Sequence, residues 1–160
     1  MLAELVVRHP EFPISVQIRP FEETDRPACQ AIAAAAALTS YGAHMPPEAF
    51  GPHEPLEPAD QRAVAIVDGE IVGFIELVGA HVSNVFVGPA AQGKGVGGLM
   101  MAWAEAQTDG PLTLSVFTVN PNARRFYERL GFVVEGTKTI GFAGGEHEVW
   151  RMRKDRAAPF

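Results

Sequence analysis

Gly88-Pro89-Ala90-Ala91-Gln92-Gly93-Lys94-Gly95-Val96-Gly97-Gly98 stands between a strand-like run, residues 81–87, and a stretch of helical periodicity, residues 96–107. A loop that joins a strand to a helix in this way turns backbone N–H groups outward at the positive helix terminus, which carries roughly half a unit of charge. The stretch therefore reads as a phosphate cradle, and three phosphate motifs overlap in it. A P-loop would use Gly88, Gly93 and Lys94, but Gly95 occupies the place where Ser or Thr must hold magnesium. A dinucleotide fingerprint would use Gly93, Gly95 and Gly98, but it needs an acidic residue about 20 positions on. Residues 112–120 contain neither Asp nor Glu. The third pattern, Gln-x-x-Gly-x-Gly, is filled by Gln92, Gly95 and Gly97. Alone it is short enough that a glycine-rich connection without any ligand competes with it.

Upstream of the loop, residues 62–67 lead through Asp68-Gly69 into residues 70–78, and Gly79-Ala80 turns the chain into residues 81–87. Connections this short define an antiparallel meander, whereas a dinucleotide fold begins with a parallel βαβ unit. Earlier, Ile14, Val16 and Ile18 alternate as in a half-buried strand. Asp25 is an expected N-cap, with Pro27 in the first turn of an alanine-rich helix that runs to Leu38. Residues 41–60 hold Pro46, Pro47, Pro52, Pro55 and Pro58, so a loop with one short helix at 47–50 is expected there. Long loops in compact domains tend to be functional, and acceptor recognition is expected in this one.

Downstream, Asp109-Gly110-Pro111 breaks the helix, and Leu112, Leu114 and Val116 alternate as another strand. A second helix is expected over 122–130, stopped by Gly131, with strands over 132–139 and 146–153. The expected division is a domain over 14–155 and an N-terminal arm over 1–13, which shows little pattern.

A second motif lies further on: Asn120-Pro121-Asn122-Ala123-Arg124-Arg125-Phe126-Tyr127-Glu128-Arg129-Leu130-Gly131-Phe132. Together with the glycine loop, and in the same order, it resembles the two conserved blocks of the GNAT superfamily of N-acetyltransferases. These are Gln-x-x-Gly-x-Gly and Asn-x-x-Ala-x-x-Phe-Tyr ending in Leu-Gly-Phe. The resemblance spans about residues 14 to 152. It implies an α+β fold: a mixed, mainly antiparallel sheet of six to seven strands, helices on both faces, and a splay between strands 4 and 5 that admits the pantetheine arm of CoA. It also implies acetyl-CoA as co-substrate, no metal, and direct attack by a primary amine in a ternary complex. The alternative is a non-catalytic acyl-CoA-binding regulatory or sensor domain.

Carried over by position, the backbone of Val85, Phe86 and Val87 would bond the pantetheine like an added strand. Gln92, Gly93, Lys94, Gly95, Val96, Gly97 and Gly98 would hold the pyrophosphate. Asn120 would bond the pantetheine or order the loop, and Tyr127 would point at the thioester sulfur. The chemistry of the residue types agrees: a tyrosine hydroxyl is close enough in pKa to a thiol to act as its acid. Fixed N–H groups near Val87 suit a developing oxyanion. For the base, His81 and Glu76 on adjacent strands are both candidates, as is a water chain. Strict alternation would put His81 on one face with Ser83 and Val85.

Composition narrows the field. The chain has 160 residues, 47% apolar and 20% charged, which suits one soluble domain. A net charge of −6 argues against a nucleic-acid partner. With Glu48, Glu54, Glu57 and Asp60 in the proline-rich loop, it leans towards a cationic amine acceptor, small or protein-borne. The cluster Arg151, Arg153, Lys154 and Arg156 reads as a solvated strand end, and Cys29, the single cysteine, as a buried structural thiol. His44 and His53 lack a helical partner and read as surface residues; His147, beside Glu146 and Glu148, fits an acceptor mouth or a hairpin end equally. No apolar run nears the ~18 residues of a membrane span, and Glu4, Arg8 and Glu11 do not suit a signal peptide. A soluble, cytoplasmic protein with no membrane partner is expected, and a homodimer is left open.

Overall fold

Asp68 and Gly69 both take positive φ, 52° and 80°. Two such residues in a two-residue loop make the hairpin turn whose twist matches that of the flanking strands. That turn starts a meander at the centre of the sheet. The computed structural model describes residues 5–8, 15–41, 56, 58–142 and 145–155. Within them the order is β1 (Leu5–Arg8), β2 (Ser15–Pro20), α1 (Arg26–Tyr41), β3 (Gln61–Val67), β4 (Glu70–Val78), β5 (His81–Val87), α2 (Val96–Ala106), β6 (Leu112–Phe117), α3 (Pro121–Arg129), β7 (Val133–Phe142) and β8 (Gly145–Lys154). The eight strands form one sheet in the order β1-β2-β3-β4-β5-β6-β8-β7.

The class is the expected one, mixed and mainly antiparallel, with helices on both faces. The strand count is higher than expected because the N-terminal arm contributes β1, whose Leu5–Arg8 pairs antiparallel with Ile18 back to Ser15. Four residues are too few to show a period in the sequence; backbone pairing at the edge of β2 holds them. Counted from β2, the splay between the fourth and fifth strands falls between β5 and β6.

Two apolar layers cover the sheet. On one face, Val96, Met100, Met101, Trp103 and Ala104 of α2 pack with Ile75, Leu77, Val82, Leu112, Leu114, Val116 and Met152, and Phe126, Tyr127 and Leu130 join them. On the other, Cys29, Ile32 and Ala33 of α1 pack on Val64, Phe74 and Phe86. Asp25, expected as the N-cap of α1, lies instead in a 3-10 turn, Glu23–Asp25, just before it. Its carboxylate takes the Glu22 N–H at 2.8 Å and both Arg19 nitrogens at 2.8 and 3.0 Å. Arg19 holds its carboxyl below the usual range.

Cys29 is fully buried under α1. Burial, then the nearby Asp25 charge, pushes its thiol up to about 12. Only a thiolate is an effective nucleophile. The folded protein is therefore expected to resist iodoacetamide at about pH 8 and to be alkylated promptly in denaturant, as read by intact mass.

Two irregularities in the strand pairing position the residues around the splay. Against β4, Leu77 faces Val82 but Glu76 faces Asn84, so Ser83 is an extra residue, a β-bulge. The bulge resets the alternation and corrects the face expected for His81. Val82 and Val85 point to the α2 side. His81 lies instead on the α1 side, with Asn84 and Phe86 (the latter packed under α1). The second irregularity is the parallel join of β5 to β6, which has one register pair, His81 with Thr113. The Thr113 N–H donates to the Ala80 carbonyl at 3.1 Å. Past that point β6 stays paired with β8 through Phe117, and β5 has no ladder partner on that side among the described residues.

Candidate active site

The glycine loop lies at the end of β5, where the two strands have parted. A short 3-10 turn, Pro89–Ala91, leads into it, and Gly95 caps α2 with φ 84°, a left-handed conformation that disfavours side chains. Gly93 has φ 77°. A Cβ on Gly97 would come within 3.2 Å of the Phe126 ring, so its lack of a side chain lets α3 lie close to the first turn of α2. Gly98 opens to free space. Lys94 is exposed and has no ion-pair partner among the described residues. The Gln92 side chain donates to the Val87 carbonyl at 3.0 Å and ties the loop to the strand end.

These features fit an anionic ligand that approaches α2 end-on: N–H groups at a helix terminus, small residues and one uncommitted cation. The unpaired edge of β5, which carries Val85, Phe86 and Val87, fits an extended amide-bearing chain laid along it as a strand would be. The Val87 carbonyl keeps a second lone pair beside its bond to Gln92.

Asn120 caps α3, its Oδ1 accepting from the Ala123 N–H at 3.1 Å, with Pro121 at the first position of the helix. In the structure this side chain orders the start of α3. Tyr127 is half-buried on α3, edge-on to Phe126 and Phe132 at centroid distances of 5.0 and 5.8 Å. It packs against the α2-side core, the cluster against which Val85 and Val87 also pack. Tyr127, Asn120 and the glycine loop thus share one face of the sheet.

His81 stands on the other face, at the closed end of the splay. Its Nδ1 lies 2.8 Å from the Thr113 hydroxyl. Burial first, then the charges of Arg151 and Lys138, hold its pKa below the ordinary histidine value. In the tautomer that carries the proton on Nδ1, this bond runs to the Thr113 oxygen and leaves Nε2 with a lone pair.

Glu76 is also on this face but is differently placed. The sequence leads one to expect an exposed or water-linked carboxylate, yet Glu76 is 1% exposed. Arg62 donates to its Oε2 through Nε at 2.8 Å and through a terminal nitrogen at 2.5 Å, and Asn84 donates to Oε1 at 3.1 Å. Arg62 also lies over the Phe21 ring, 4.8 Å from its centroid. A carboxylate with both oxygens engaged by a buried cation and an amide is structural. The two candidate bases are thus not equivalent.

Sequence reasoning missed Thr113, Arg62 and Asn84. Thr113 is readable as a polar residue alternating with Leu112 and Leu114; the other two show themselves only through cross-strand register. The proline-rich loop expected to recognise the acceptor, with His44, His53 and its short helix at 47–50, lies outside the described residues apart from its ends. Asp60, at one end, accepts the Gly79 N–H at 2.6 Å and holds a turn. His147 stacks edge-on to Phe117 at 5.7 Å. Among the described residues no group of His, Cys, Asp and Glu could hold a metal ion, and no helix is long and apolar enough to cross a membrane.

The acetyltransferase (GNAT) domain family matches residues 59–134, from the end of the proline-rich loop through α3 into β7. A peptidyl-lysine N-acetyltransferase of Salmonella typhimurium, YjaB, is 35% identical over 82 residues, 51% of this chain and 56% of that protein. The chain spans about half the length of the curated relatives it matches first. A GCN5-related N-acetyltransferase structure from Rhodopseudomonas palustris superposes with a TM-score of 0.72 at 23% identity, covering 87% of this chain and 94% of the other. A PaiA N-acetyltransferase from Thermoplasma acidophilum, solved with coenzyme A, gives 0.69 at 17% identity, covering 88% and 99%. Residues 59–134 thus match the GNAT acetyltransferase domain, and the chain shares the fold of these solved N-acetyltransferases.

Proposed function

We propose that the protein is an acetyl-CoA-dependent N-acetyltransferase that moves the acetyl group directly to an amine. The observation that carries this is the parting of β5 from β6 beside the glycine loop, with Tyr127 packed on one face of the sheet and His81, at the paired end of the two strands, on the other. Relatives named as acetyltransferases, one of them solved with coenzyme A, support the choice of donor.

Acetyl-CoA supplies the activated thioester. The α2 N-terminus, with Lys94, binds the pyrophosphate, and the open edge of β5 orients the pantetheine. His81 Nε2 takes the proton of the attacking amine. N–H groups at the end of β5 stabilise negative charge developing on the acetyl oxygen. Tyr127 returns a proton to the departing sulfur, so the net change is one C–N bond made and one C–S bond broken. His81 is the base in this scheme, and Glu76 keeps Arg62 and Asn84 in place.

Calorimetric titration with acetyl-CoA, ATP and NAD, followed by a thiol-release screen over amines, tests it. Micromolar acetyl-CoA binding with neither nucleotide bound, together with amine-dependent thiol release, is the expected result. Binding without release from any amine would leave a sensor domain; no binding would end the transferase assignment.

A further inference from the structure

Lys138 and Arg151 are exposed on β7 and β8 and have no carboxylate partner among the described residues. Their neighbours differ. Arg153 is paired with Asp155, and Lys154 with Glu105. Among its described members, the basic cluster that reads as a solvated strand end is thus divided by alternation and pairing, which leaves Arg151 uncommitted.

Register puts both free cations on the face that carries His81. Across β6 and β8, Thr113 faces Arg153 and Ser115 faces Arg151. Lys138 faces Val149, two residues from Arg151 and so on the same side. Thr113, which bonds His81, and Arg151 are diagonal neighbours, with Cα atoms about 7–8 Å apart. Both cations are near enough to His81 to add to the effect of burial on its titration. Glu135, at the irregularity of β7, acts on Arg153 and forms no ion pair with Arg151 or Lys138; the other acids nearby are engaged or turned away. Glu76 is bound to Arg62, Asp60 holds the Gly79 N–H, and Glu146 and Glu148 alternate to the opposite side with Trp150. The glycine loop also lies across the sheet, so phosphates held there would not be their counterions.

Two unpaired cations beside the proton acceptor repel a second positive charge and attract an oxyanion. We propose that the acceptor is a small amine carrying a carboxylate, or a comparable oxyanion, next to its amino group, with Arg151 as the principal anchor and Lys138 beside it. This depends on the transferase activity proposed above and names its substrate class. A guanidinium fork grips a carboxylate through two parallel bonds, which fixes the neighbouring amine within reach of His81. The net charge of −6 suggests a cationic acceptor, but net charge governs solubility and long-range steering; the local field next to the base has the other sign.

The test compares common α-amino acids with their amides and with the matched decarboxylated amines, by thiol release, on the wild type and on Arg151→Gln and Lys138→Gln. The free acids are expected to exceed their amides in kcat/KM. Arg151→Gln should lower the preference about tenfold to a hundredfold, through KM, as loss of a charge-assisted bond predicts. Lys138→Gln should have a smaller effect, and acetyl-CoA affinity should be unchanged in both. Amides or decarboxylated amines used as well as the acids, or a ranking that Arg151→Gln does not change, would overturn the proposal. If no acceptor turns over, the same acids and amides are titrated into the protein while the His81 ring resonances are followed. Selective binding of acids that Arg151→Gln removes supports the anion site; equal or absent binding refutes it. The acetyl-CoA titration judges the transferase activity separately.

Discussion

Replacing Arg62 by methionine is expected to cost about 3–5 kcal/mol, because it leaves a buried carboxylate without its cation. The Arg62 and Glu76 side chains are 12% and 2% exposed, so solvent cannot take over the role of the guanidinium. The variant also loses the contact of Arg62 with the Phe21 ring. Urea unfolding reads the effect as a lower midpoint at unchanged slope. The control is Arg62→Met with Glu76→Met. Removing both charges for apolar groups of similar size is often neutral or stabilising, so the double variant should recover most of the loss. A single variant as stable as the wild type would show that the pair is not buried in solution. If Glu76 were the catalytic base, the stable double variant would be inactive; with Glu76 in a structural role it keeps turnover.

His81→Ala is expected to lower kcat by about 10²- to 10⁴-fold, the usual contribution of a positioned base, while acetyl-CoA affinity stays the same. The pH profile gives an independent sign. Burial and the charges of Arg151 and Lys138 hold the histidine pKa down, so the neutral, base-competent form persists to more acidic pH. The acid limb of kcat/KM should therefore lie below the ordinary value of about 6.5 and rise with pH. In Arg151→Gln one of the cations opposing protonation is gone, and the limb should move to higher pH. A limb that does not move, or that survives in His81→Ala, would assign the proton to another group. Tyr127→Phe, with His81 intact, separates the acid from the base by its effect on the alkaline limb.

The sequence is most informative where local chemistry decides geometry. Asp68-Gly69 demands a hairpin and Gly131 a left-handed stop after a helix; each is found as such. It is least informative where the structure depends on register between strands distant in sequence. Glu76 looks like a polar residue between two apolar ones, and only its position beside Arg62 on β3 and Asn84 on β5 makes it a buried salt bridge. Strict alternation misplaces the face of His81 for a related reason. Alternation assumes one residue per pleat, and Ser83 breaks that count. The one local sign is the polar doublet Ser83-Asn84 between Val82 and Val85. The β1 strand has no legible signal, because its four residues take their order from pairing with β2.

The bulge at Ser83 also bears on how this chain can vary by descent. The residues after it are anchored, Val85 and Val87 against the α2 side and Phe86 under α1. If the codon for position 83 were lost, the anchored half would keep its phase and the half before it would turn over. His81 would then face α2, and Val82 would be carried to the polar face. Exchange of the serine for another residue leaves the phase intact. A library holding every substitution at position 83 together with the deletion should therefore yield active clones from many substitutions and none from the deletion. At this position inheritance is constrained in length more than in chemical identity.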